Sequence, residues 1–274
     1  MKDPRRPAPT GAEVSRETRK RSGAPSASPA NLENIAESVA IDARERVAIW
    51  LSETTLRPRG RFLERIDKLA ATLALWGAHT NLTANPNDPV EIAFHIIDSL
   101  APFAFASGAN RDALEAALAE DGAALDIGSG AGFPGLVLAA AYQAGFTLVE
   151  SRRKRASFLQ VAAHEMDLAN VVIEQRRLNA RTVIGGFDLV TARAFGISAE
   201  LYEIAVAALR PGAMLLLYAS SRQNSAEGEF GPPIDDSQAR AAQLTAPAAW
   251  TYRLPHGDRV ATRTATLWRK PRAT

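Results

Sequence analysis

The chain has 274 residues, 46% hydrophobic and 23% charged, with a formal net charge of +2 and no cysteine. That composition suits a globular protein with a sizeable core and excludes disulfides, zinc–thiolate sites and cysteine nucleophiles. No run approaches the ~18 consecutive apolar residues of a membrane span, and the basic N-terminus lacks the apolar segment of a secretory signal, so the chain is expected in the cytoplasm with no membrane partner.

Residues 1 to about 30 are Pro, Ser, Ala, Gly and Arg with almost no large apolar side chain. Such a stretch buries too little surface to offset its ordering entropy, and a disordered basic tail is expected over residues 1–40. Its RETRKR run is either a solvated charge cluster or a contact to RNA. The pI of about 9.1 allows a polyanionic partner without requiring one. From Ile41 the texture changes. IDARERVAIWL and RFLERIDKLAATLALWGAHTNL repeat apolar residues at three- and four-residue steps, as in Phe62, Ile66, Leu69, Leu73 and Trp76, and predict amphipathic helices. Gly77 is the predicted stop. Asp88 before Pro89 predicts an N-cap with proline at the first helical position, opening a helix that runs to about Leu100. RDALEAALAEDG predicts one more helix, closed by Gly122. A helical unit is therefore expected over 41–122.

After Gly122 short apolar runs alternate with helical stretches: AALDIG, GLVLAAAYQAG, FTLVES, KRASFLQVAAHEMDL, NVVIEQR, FDLVTARAF, SAELYEIAVAALRPG, AMLLLYAS. Strands separated by helices of this length predict a mostly parallel sheet with crossover helices, an α/β fold. AAWTYRLP, HGD and RTATLWRK predict a terminal antiparallel hairpin on the sheet edge. Residues 220–240 are polar with Gly and Pro and are expected to form a loop. Trp50, Trp76, Trp250, Trp268, Phe158 and Met166 sit in apolar patterns and read as core.

Gly128, Gly130 and Gly132 follow a strand and precede a helix, the place where open parallel sheets bind ligands. A dinucleotide fingerprint reads G-x-G-x-x-G; this loop reads G-x-G-x-G-F-P-G, ending at Gly135. Asp126 closes the strand before it and would repel a pyrophosphate but attract a cation. Glu150 closes the next strand, where an acid can accept from ribose hydroxyls. Asp126, the loop and Glu150 resemble the S-adenosyl-L-methionine site of class I methyltransferases; a purely structural Gly-rich turn is the alternative. No His, Asp and Glu set has metal-ligand spacing, so no metal is expected.

NLTANPNDPVEIAFHIIDSL, GFPGLVLA, ESRRKRASFL and DLVTARAF occur in this order. Together they resemble the bacterial small-subunit ribosomal RNA methyltransferase G family, also called glucose-inhibited division protein B, over about residues 60–270. The most specific pieces are Asn81-Leu82-Thr83 through His95, Asp98 and Ser99, and Gly-Phe-Pro-Gly at 132–135. The resemblance implies a Rossmann-like methyltransferase domain over 123–274 with an N-terminal helical cap. It also implies methyl transfer to N7 of one guanine in small-subunit (16S) ribosomal RNA or a precursor of that subunit, by a monomer.

By the same resemblance Asp126, Gly128, Ser129, Gly130, Gly132 and Phe133 form the loop that holds the methionine part of the cofactor. Glu150 and Ser151 are placed at the ribose, and Arg177, Leu178 and Asn179 at the adenine. His95 and Asp98 form a polar pair facing the cofactor or guanine pocket. Arg193, after the fourth strand, and Arg263, opening the last, lie at the reaction centre, Arg193 also against the cofactor. Guanine N7 carries a free lone pair, so these residues are expected to position and not to abstract a proton. Arg152, Arg153, Lys154 and Arg155 are either a solvated cluster or a track for RNA phosphates. Two departures stand out: Asn179 where the family has an acid, and Ser220-Ser221 where it has Lys-Gly. They leave two alternatives: a small-molecule or protein methyltransferase on the same fold, and a non-catalytic RNA-binding or ribosome-assembly protein.

Overall fold

The computed structural model describes residues 29–272 apart from 78–79, 81, 194–197, 221–235 and 246–247. The expectations for residues 1–28, Asn81, Ser221 and most of the 220–240 loop lie outside the described residues. Ala36, Val39, Ala40, Ala43, Val47 and Trp50 fall on one helical stripe and are all buried. They seat α1 (Pro29–Ser52) against α2 (Phe62–Gly77) and α3 (Pro89–Phe105). Residues 29–40 are thus helical and not part of a tail, which corrects the boundary expected at residue 40. The stripe there is built mainly of alanine, whose small side chains leave the window polar on average while still packing against a neighbouring helix. α3 starts as its sequence predicts: the Asp88 carboxylate accepts from the Val90 amide at 2.9 Å, with Pro89 in the first turn.

Beyond α4 (Gly108–Ala117) the chain alternates β1 (Ala123–Ile127), α5 (Gly135–Ala141), β2 (Gly145–Val149), α6 (Arg153–Glu165), β3 (Val171–Glu174), β4 (Phe187–Arg193), α7 (Ala199–Ala208) and β5 (Leu209–Ser220). A short α8 (Asp236–Ala241) follows, then the hairpin of β6 (Ala248–His256) and β7 (Arg259–Arg269). The expected loop therefore ends in a helical turn, because Ala239 and Leu244 are buried against the sheet. The sheet order is β3-β2-β1-β4-β5-β7-β6. β1 to β5 pair in parallel and β7 is antiparallel to both neighbours, so β6 runs in the same direction as β1 to β5.

Helices cover both faces. One apolar layer joins α1 to α6 with one side of the sheet; α7 and α8 close the other over Leu125, Val190, Leu215 and Trp268. Trp50, Trp268, Phe158 and Met166 are buried, and Trp76 and Trp250 pack against the core. The chain leaves β1 toward β2 on one side and returns to β4 on the other, so the strand order reverses beside β1. Ligands of open α/β sheets enter at such a point, at the carboxyl ends of the strands.

Candidate active site

The loop after β1 is tied to the end of β2 by one carboxylate. Glu150, buried, accepts from the Gly130 amide at 3.1 Å with one oxygen and from the Arg152 amide at 2.8 Å with the other. Gly130 has φ +56, a left-handed conformation that side chains disfavour. Ser129 is buried and donates back to the Asp126 carbonyl at 3.1 Å.

Asp126 is almost fully buried, and its carboxylate accepts from the Thr191 hydroxyl at 2.7 Å. Its second oxygen lies under the first turn of α5, where a Cβ at residue 135 would stand 2.6 Å from it; only glycine allows that approach. Burial pushes the Asp126 carboxyl up to about 6, opposed by its hydrogen bond from Thr191, by the nearby Ser129 hydroxyl and Gly135 backbone, and by the charge of Arg193.

A cavity of about 210 Å³ opens beside this loop, lined by Ile127, Gly128, Val149, Ser151, Arg176, Arg177, Leu178 and Glu200. It is smaller than the roughly 300–1,000 Å³ clefts that bury a whole drug-sized ligand and has room for one flat ring system. Gly128, Ser151, Arg177 and Leu178 were expected here; Ile127, Val149, Arg176 and Glu200 were not, because they come from three strand ends and a helix start. Asn179 does not line the cavity. Its side chain accepts from the Arg181 and Thr182 amides at 3.0 and 3.1 Å, capping its own turn. Asp126 and Gly132 do not line it either; they shape the loop from below.

The second constellation gathers on α3 and the last strands. Asp98, 3% exposed at its side chain, faces Arg193 at 3.2 Å and Arg263 at 3.5 Å through one oxygen. Its other oxygen accepts from the Tyr252 hydroxyl at 3.2 Å. Arg193 also donates to the His95 carbonyl at 3.2 Å and the Ser99 hydroxyl at 3.5 Å, and it contacts His95 Nδ1. His95 Nε2 lies 3.0 Å from Glu91, whose second oxygen is 2.8 Å from His256 Nε2. Burial, followed by the charges of Arg193, Arg263 and His256, lowers the His95 imidazole to about 3. The ring is neutral at physiological pH, donating from Nε2 to Glu91 and accepting at Nδ1 from Arg193. Burial and the nearby Asp98 carboxylate hold the Tyr252 hydroxyl well above its ordinary range.

Arg263 sits within β7, four residues after its start, and not at its opening; the strand extends back to the turn at Gly257. Its guanidinium lies 4.8 Å over the Phe94 ring. Phe133, expected at the cofactor, is the link between the two constellations. It belongs to the glycine loop, packs against His95 at 5.2 Å between centroids and lies 5.7 Å beneath Arg193. Glu91, Phe94, Tyr252 and His256 were missed in the sequence. Glu91 and His95 stand one helical turn apart on α3, a pairing signal, but nothing local points to residues 252 or 256. Arg152, Arg153 and Lys154 are exposed at the start of α6. Among the described residues no His, Asp and Glu cluster suits a metal.

A family model described as rRNA small subunit methyltransferase G matches residues 62–232. Relatives named ribosomal RNA small subunit methyltransferase G include one from Wolinella succinogenes, 36% identical over 163 residues, 59% of this chain and 77% of that protein. One from Acidiphilium cryptum is 35% identical over 213 residues, 76% of this chain and 87% of that protein. A solved structure of a putative sarcosine dimethylglycine methyltransferase from Galdieria sulphuraria superposes with a TM-score of 0.51 at 11% identity, covering 75% of this chain and 98% of that one; that likeness concerns the fold alone. The family match spans more than half of the chain and a relative 35% identical covers 76% of it, so the chain belongs to the rRNA small subunit methyltransferase G family.

Proposed function

We propose that the protein transfers a methyl group from S-adenosyl-L-methionine to N7 of a guanine in small-subunit (16S) ribosomal RNA, acting as a monomer in the cytoplasm. The observation that carries this reading is the meeting of a cofactor-shaped loop and a paired-arginine centre at one ring, Phe133. Glu150, Ser151 and the backbone of Gly128 to Gly132 would hold the ribose and methionine portions, and Ile127, Val149 and Leu178 the flat base. The cofactor, when bound, supplies an electrophilic methyl carbon on a sulfonium.

The protein's task is then alignment. Guanine N7 needs no proton removed, which agrees with a neutral His95 whose two nitrogens are both engaged. Arg193 directs four N–H groups to His95, Ser99 and Asp98, so it is a fixed wall of the pocket. Arg263 faces Asp98 only through Nε, and its terminal nitrogens have no hydrogen-bond or ion-pair partner among the described residues. They are the donors suited to guanine O6, leaving N7 clear for attack. Asp98 offsets the charge of both arginines where the purine itself gains positive charge.

The test is incubation of the purified chain with small-subunit RNA and methyl-labelled cofactor, followed by cleavage chemistry selective for N7-methylguanine. One labelled guanine is expected. Label on another atom, or on protein or small molecules alone, would overturn the reading.

A further inference from the structure

A second cavity, of about 630 Å³, lies between α1, α3 and β6, and the mechanism above does not use it. Its walls include Arg46, Trp50, Phe94, Phe105, Arg111 and Arg253. We propose that this groove binds a nucleotide of single-stranded RNA flanking the target base, its base stacked on Phe105 and its phosphates held by Arg46, Arg111 and Arg253. The proposal rests on the RNA reading of the active site and extends it to a second subsite.

The groove carries an excess of positive charge, three arginines against one carboxylate. Arg44, Arg61, Arg176, Arg193, Arg210 and Arg263 all face carboxylates. Arg46 and Arg253 are exposed and have no ion pair among the described residues. Arg111 donates to the carbonyls of Ala104 and Ala106 and to the Thr55 hydroxyl, which fixes the guanidinium but leaves its charge. The single carboxylate among the lining residues is Glu53. Three fixed or poised cations around an apolar floor fit a phosphodiester.

Phe105 supplies the stacking surface. One face of its ring packs parallel to Tyr252, with centroids 5.5 Å apart and planes 4° apart. Tyr252 is buried and anchored to Asp98, yet Phe105 is 45% exposed. A rigidly backed aromatic ring open on its other side is the platform on which proteins stack unpaired bases.

The path is also right. His256 ends β6 at the edge where the active site lies, and it meets Glu91 in the first turn of α3. α3 then descends along β6, so the groove starts beside the reaction centre and leads away from it. Phe94 is the partition, carrying Arg263 at 4.8 Å and also lining the groove. At the far end a smaller cavity of about 310 Å³ shares Thr55 and Arg111 and adds Arg57 and Arg59, continuing the basic track.

The test measures anisotropy of a labelled single-stranded RNA decamer on the full chain without cofactor, across a salt series, with a polyglutamate peptide as the competing class of partner. Arg46→Ala/Arg253→Ala should reduce the slope of log affinity against log salt by about 1.4, the release expected for two phosphates on a single strand. Phe105→Ala should weaken RNA binding about tenfold, and Phe105→Tyr, which keeps the ring, should restore it. Calorimetric cofactor affinity should be the same in all three. An unchanged slope in the double variant, equal losses for Phe105→Ala and Phe105→Tyr, or tight binding of polyglutamate in place of RNA would each overturn the proposal. RNA binding that responds as expected without methyl transfer would reject the methyltransferase reading and leave the groove. Methyl transfer by variants whose RNA affinity and salt slope match wild type would reject the groove alone.

Discussion

The two halves of the active site are assembled in opposite ways. The cofactor half is local: strand, glycine loop, helix, strand and acid follow one another from Asp126 to Glu150, and the side-chain tie from Glu150 to the Gly130 amide spans only 20 residues. The paired-arginine half is remote. Its carboxylate and imidazole come from α3, its arginines from β4 and β7, and its outer partners from β6, with Glu91 and His256 separated by 165 residues. The local half consists of backbone shape, which a few glycines can specify. The remote half consists of charge, which only the finished fold can bring together. They should therefore fail differently: the remote half by unfolding, the local half by loss of ligand affinity with the fold intact.

The strongest test of that contrast is Asp98→Ala. Asp98 is the shared counter-ion of Arg193 and Arg263 and the acceptor for Tyr252. Its removal leaves two cations, their side chains 13% and 22% exposed, without their shared counter-ion. Breaking a buried ion pair costs about 3–5 kcal/mol, and urea unfolding should register a loss of that size. A loss below about 1 kcal/mol would mean that the remote cluster does not hold α3 to the hairpin.

Asp126→Asn probes the local half, with the opposite sign. Burial holds the folded carboxyl at about 6, above its ordinary 3.8. Between those values the unfolded chain releases its proton while the native chain retains it, so stability falls as pH rises through this window and stays reduced above it. The gap corresponds to about 3 kcal/mol. Asparagine does not ionise, and Thr191 can reverse its hydrogen bond. The variant should match wild type near pH 3.5 and exceed it by up to about 3 kcal/mol at pH 8, while binding the cationic cofactor less well. His95, lowered from 6.5 to about 3, gives both proteins a component that is lost as pH falls, and it cancels in the difference. A gain independent of pH would remove burial as the cause.

The same contrast explains what the sequence made legible. The order of elements, the terminal hairpin, the Asp88 cap and the loop with Glu150 follow from periodicity, turn chemistry and short spacing, and the structure has each of them. His95, Asp98, Arg193 and Arg263 were reached through family resemblance, and the fold brings all four together. Tyr252 and His256 had no local signal, because alternation along β6 says only that they face inward. Phe133 looked like part of the cofactor loop because its contact with His95 crosses from one element to another. At Asn179 the local turn decides the geometry: its side-chain oxygen accepts from the Arg181 and Thr182 amides and closes its own turn.

Gly130→Ala is the smallest change and the sharpest on the local half. A Cβ there meets nothing closer than 3.7 Å, so no clash arises. The cost is conformational: φ +56 is unfavourable for alanine by about 1–2 kcal/mol. The strained loop can relax only by withdrawing the amide that Glu150 accepts, and that reorients the carboxylate assigned to the ribose. Unfolding should shift by about 1 kcal/mol while cofactor affinity, read by calorimetry, drops by far more than the stability change alone implies. If the two losses were equal, the loop would be a structural turn, and the carboxylate beside it would have no part in holding a ligand.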